Sequence, residues 1–114
     1  MIDEAHLLAI LCIHQSCRSE RISLRDALLR SNYRRLRSEF GPAALVPLIR
    51  GNPDIAKQWV QYSEDKRTGS GFWIKADSFE VGALNLNQPT IRYPSLEEAV
   101  AEFVVKDLDS VNVQ

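Results

Sequence analysis

Phe72-Trp73-Ile74-Lys75-Ala76-Asp77-Ser78-Phe79-Glu80-Val81-Gly82-Ala83-Leu84 is the stretch on which the fold reading turns. Phe72–Ile74 and Phe79–Leu84 are short runs of aromatic and β-branched residues, and Ala76-Asp77-Ser78 between them suits a turn, so the stretch predicts two strands. Downstream, Asn85-Leu86-Asn87-Gln88-Pro89 is a turn-rich link. Thr90-Ile91-Arg92-Tyr93 alternates as a short third strand, and Pro94 stops it. Ser95-Leu96-Glu97-Glu98 then has the pattern of a capping box, which opens a helix. In that helix Leu96, Ala99, Val100, Phe103, Val104 and Leu108 form one apolar stripe, with Glu97, Glu98, Ala101, Glu102 and Lys106 facing away.

Upstream of the strands the chain reads as helices. Ile2 to about Cys17 is apolar nearly all round from Leu7 to Ile13 and predicts one buried helix. Ser23 caps a second helix, with Asp26 at its third position. Tyr33, Leu36 and Phe40 recur at helical spacing in a third. Gly41-Pro42 restarts the chain, and Ala43–Arg50 predicts a fourth helix, weakened by Pro47. Gly51-Asn52-Pro53-Asp54 starts a fifth, carried by Ile55, Trp59 and Tyr62 to about Ser63, before the polar, glycine-bearing loop 64–71. Helices, then a meander, then a helix specify an α+β fold: N-terminal helices, a three-stranded antiparallel meander and a C-terminal helix packed on the sheet.

The chain has 114 residues and a net charge of −1, with 45% apolar and 25% charged residues. These values predict one globular domain over 1–114. The longest apolar run, Leu7–Ile13, is far short of the ~20 residues that span a bilayer. Asp3 and Glu4 stand where a secretory signal carries basic residues, so a cytoplasmic location without membrane association is expected. Cys12 and Cys17 are the only cysteines and cannot supply a disulfide framework. His14-x-x-Cys17 has the spacing of two metal ligands, but no second close pair accompanies it and a structural zinc site takes four ligands, so no metal and no cofactor is expected. No phosphate-binding loop, dinucleotide fingerprint, nucleophile elbow or zinc-protease motif occurs, and the expectation is a protein that is not an enzyme.

Charge is segregated. Residues 1–74 carry 11 Lys/Arg against 8 Asp/Glu, and residues 75–114 carry 3 against 7. Seven arginines lie between Arg18 and Arg37. Arg25, Arg30, Arg34, Arg35 and Arg37 are the candidate contacts of an alternative, nucleic-acid-associated reading. The pI near 6.1 argues against that reading and for a solvated face whose arginines pair with nearby carboxylates. A catalytic or small-molecule domain with an unrecognised pocket is a third possibility.

Residues 59–73 join aromatics, both charge signs and glycines at a helix-to-strand junction, where recognition residues are often found. Trp59 and Trp73 read as core. Trp59-x-x-Tyr62-Ser63-x-Asp65-Lys66-Arg67, Gly71-Phe72-Trp73, Phe79-Glu80-Val81-Gly82, Tyr93-Pro94-Ser95 and the helix Glu98–Lys106 resemble small immunity proteins of bacterial polymorphic-toxin and contact-dependent growth inhibition systems. The likeness covers residues 55–109. It implies a cytoplasmic binding protein that covers the active or substrate-binding surface of a cognate toxin domain, often a nuclease. The acidic half would then meet a basic partner. Tyr62, Asp65, Lys66, Arg67, Asp77, Glu80, Glu97 and Glu102 are the expected partner contacts. The oligomeric state stays open.

Overall fold

A computed structural model describes residues 3–65, 71–83 and 89–110; the side chain of Asp65 lies outside this set. The chain groups into two compact units, one ending at Gly41 and one beginning at Pro42.

The first unit contains α1 (Glu4–Leu11), α2 (Ile13–Glu20), α3 (Leu24–Arg30) and α4 (Tyr33–Leu36), followed by a 3₁₀ turn at Arg37–Glu39. The single helix expected from Ile2 to Cys17 is two helices, because the backbone leaves helical geometry at Cys12 (φ −98°, ψ 19°). Asp3 caps α1, its carboxylate accepting from the His6 N–H at 3.0 Å. Burial is one-sided: Leu7, Ile10, Leu11 and Ile13 are buried, whereas Ala9 is exposed. Ser23 caps α3 as expected, its hydroxyl accepting from the Asp26 N–H at 3.1 Å. Phe40 ends the 3₁₀ turn in extended geometry and packs edge-on against Tyr33. Cys12 and Cys17 are half-buried free thiols, and burial pushes both above the usual thiol range.

The second unit is built around α7 (Leu96–Ser110), on which α5 (Pro42–Gly51), α6 (Pro53–Asp65) and the sheet all pack. The expected α+β architecture is present. Strands β1 (Phe72–Lys75), β2 (Glu80–Ala83) and β3 (Ile91–Arg92) form an antiparallel sheet in the order β1-β2-β3. Pro47 does not stop α5, which runs through it. Asn52 precedes α6, but its carboxamide donates back to the Leu48 carbonyl at 2.9 Å and so closes α5.

Register explains which sheet face is inside. Ile74 lies opposite Val81, and both are buried on the side covered by α6 and α7. The Ser63 hydroxyl of α6 accepts the Ile74 N–H at 3.0 Å and fixes β1 to the helix. Ser95 caps α7, accepting from the Glu98 N–H at 3.3 Å. The stripe read from sequence is buried, but α7 is covered more widely than a stripe: Ala101, Val105 and Asp107 are buried too. A helix with neighbours on several sides buries residues that a one-faced amphipathic pattern assigns to solvent.

Trp59, Tyr62 and Phe103 form the aromatic centre, with ring centroids 5.7, 6.1 and 6.3 Å apart. The Tyr62 hydroxyl donates to the buried Asp107 carboxylate. Burial, followed by the charge of Asp107 and this hydrogen bond, raises the phenol well above its ordinary value of 10.0. A phenol whose folded-state value is raised contributes stability that is complete below the unfolded value and lost as pH climbs toward the folded one. Stability is therefore expected to fall above pH 10. In Tyr62→Phe this part of the alkaline slope should flatten, as measured by urea unfolding at a series of alkaline pH values. An unchanged slope contradicts a raised Tyr62 phenol.

Candidate functional site

A cleft of about 420 Å³ opens between α5 and α7 in the second unit. Its α5 wall is apolar: Pro42, Ala43, Val46 and Pro47, with Arg50 at one end. Proline has no N–H, so Pro47 leaves the Ala43 carbonyl without its helical donor, and both residues line the cleft. Its α7 wall is Glu98, Ala101 and Glu102, with Tyr93 beside them. Glu98 and Glu102 are four residues apart and share one helix face, a like-charge arrangement that costs an isolated helix about 0.2–0.5 kcal/mol. Both are half-buried, and neither closes an ion pair among the described residues. Arg50, on the rim, approaches Glu97 (Nε to Oε1 3.9 Å). Burial and then the Glu102 charge raise the Tyr93 phenol above its ordinary range. The cleft therefore pairs an apolar wall with two carboxylates, Glu98 and Glu102, that close no ion pair among the described residues. A side chain with a carbon stem and a cationic head matches both.

The sequence-predicted contacts distribute unevenly. Glu102 lines the cleft and Glu97 stands beside it at the start of α7. Glu80 lies on β2 between Lys75 and Arg92 by register, with cations on both neighbouring strands, and Asp77 is exposed in the β1–β2 turn. Tyr62 is half-buried and points into the aromatic centre. Asp65, by its side chain, and Lys66 and Arg67 entirely, lie outside the described residues.

Sequence reading missed Glu98, Tyr93 and the α5 wall. The capping-box pattern gives Glu98 a capping role; in the structure Glu98 lines the cleft, and its N–H donates to the Ser95 hydroxyl. Its spacing from Glu102 was the available signal. Trp73 departs from its expected core position. It shares with Gly82 the sheet face opposite Ile74 and is only half-buried. Its ring lies against Gly82, where any Cβ would overlap it, and the Lys75 ammonium sits 5.4 Å from the ring centroid.

The arginines of the alternative reading are partly engaged within the first unit. Arg30 pairs with Glu20 at 2.8 Å, and Arg37 donates to the Phe40 carbonyl at 2.7 Å and lies over its ring. Arg25, Arg34 and Arg35 are exposed.

Among the described residues no helix is long and apolar enough to cross a membrane, and no cluster of three His, Cys, Asp or Glu residues could hold a metal. No family model, curated protein or solved structure matches the chain.

Proposed function

We propose that this chain is a cytoplasmic, non-enzymatic binding protein of the immunity type. It neutralises a cognate bacterial toxin by covering the toxin's active or substrate-binding surface. The observation that carries the reading is the α5–α7 cleft, where an apolar wall faces Glu98 and Glu102. Binding a basic partner relieves the repulsion between these carboxylates and buries the exposed apolar wall. Such energy is available to the complex and absent from the free chain. The net −4 of residues 75–114 adds long-range attraction, which speeds encounter and weakens with salt. A toxin that acts on nucleic acid carries the basic surface that this charge requires.

The test is coexpression with the product of the gene immediately upstream. The expected result is a stable complex on co-purification and survival of cells that otherwise die. Absence of both the complex and the rescue overturns the reading.

A further inference from the structure

Pro47 sets the α5–α7 cleft apart from an ordinary groove between helices. It is the sixth residue of α5, past the first turn, where a proline costs a helix stability. Any other residue there would donate its N–H to the Ala43 carbonyl. Pro47 leaves that acceptor open, and Ala43 is exposed. Ala43 and Pro47 both line the cleft. On its other wall stand Glu98 and Glu102, one helical turn or about 6 Å apart along α7. The Tyr93 phenol feels the Glu102 charge, so these two neighbours face the same space. The lining holds one arginine, Arg50, against the two glutamates, and Arg50 leans toward Glu97. The lining therefore keeps one net negative charge.

Two carboxylates, a residue with an open carbonyl, an aromatic ring and the apolar Val46 line one concavity. The carboxylates and the carbonyl only accept hydrogen bonds. They suit a cation with many donors on an apolar stem. An ammonium has three N–H donors. A guanidinium has five in a fixed planar fork, and it also stacks on aromatic rings. We propose that the cleft receives an arginine side chain of the protein partner, its guanidinium held by Glu98, Glu102 and the Ala43 carbonyl and its stem against Val46. This inference rests on the reading of the cleft as the partner-binding surface. It also gives Pro47 a role: the free chain is less stable for it, and an acceptor stays open for the partner.

The test is a titration of the full-length chain, followed by amide NMR, with the Nα-acetyl amides of arginine, lysine and citrulline at constant ionic strength. Saturable shifts are expected at residues 43–50 and 96–102 with the arginine derivative, with several-fold weaker binding for lysine and none for the neutral citrulline. Glu98→Gln should weaken arginine binding about tenfold, as loss of a charged hydrogen-bond partner implies. Asp54→Asn removes the same charge from an exposed site outside the cleft and should leave binding unchanged within about twofold. Pro47→Ala restores the N–H that the Ala43 carbonyl lacks. It should raise the melting temperature by several degrees and weaken arginine binding a few-fold, two opposite changes that a purely structural proline does not produce. The proposal is overturned by shifts that never saturate, by lysine or citrulline binding as tightly as arginine, by an equal loss in Asp54→Asn, or by undiminished binding in Pro47→Ala. A toxin complex that forms despite any of these failures keeps the immunity reading, whereas arginine binding without toxin complex or rescue rejects that reading and leaves the arginine site standing.

Discussion

Phe103→Ala is expected to lower stability by about 3–5 kcal/mol, the range for truncating a buried aromatic side chain. Phe103 has 0% of its surface exposed and sits edge-on to Trp59, with Tyr62 at 6.3 Å. Truncation loses transfer free energy, leaves a cavity and removes two ring contacts worth ~0.5–1.5 kcal/mol each. The effect is large because Phe103 lies on the helix shared by α5, α6 and the sheet, so the void borders several elements. Natural domains have only about 5–15 kcal/mol to lose, so the variant should melt at least 10 °C lower, at ~4 °C or more per kcal/mol. Leu29→Ala is the matched control. Leu29 is 44% exposed, and its loss should cost no more than about 0.5 kcal/mol. Urea unfolding followed by tryptophan emission measures both. A cost below 1 kcal/mol for Phe103→Ala would remove α7 from the centre of the fold.

The second large effect concerns binding. Glu98→Gln combined with Glu102→Gln should weaken the proposed toxin complex by at least thirtyfold, since loss of one side of a desolvated charge pair costs about 2 kcal/mol or more. The free chain should stay within about 0.5 kcal/mol of the wild type, because two terms of opposite sign nearly cancel. Neutralising Glu98 forfeits its interaction with the positive end of the α7 dipole. Neutralising both residues abolishes their i,i+4 repulsion. Calorimetric titration and thermal melting separate the terms. If the two carboxylates have only a structural role, stability moves and affinity does not. Affinity unchanged within threefold would place the interface elsewhere, with the exposed hairpin residue Asp77 next to be tested.

Low charge on the partner's side of the proposed complex would be visible in its association kinetics. A steered association slows as ionic strength rises, because exposed charges are screened over about 10 Å at 0.1 M salt. A complex whose on-rate ignores salt would contradict the electrostatic part of the reading, even with the affinity intact.

Sequence by itself determined what nearest neighbours along the chain decide. Ser23 and Ser95 cap their helices because a hydroxyl at that position reaches an amide three residues on, a contact needing no other part of the molecule. The hairpin follows from two β-forming runs around a polar turn, and the buried stripe of α7 from its periodicity. Tertiary structure alone decided which faces are covered, because that depends on elements far apart in the chain. It buried Ala101 against α5 and turned Trp73 outward over Gly82, and it set Glu98 and Glu102 opposite Val46 and Pro47, some fifty residues away. No window around Glu98 contains that apolar wall, so the cleft exists only once α5 packs on α7.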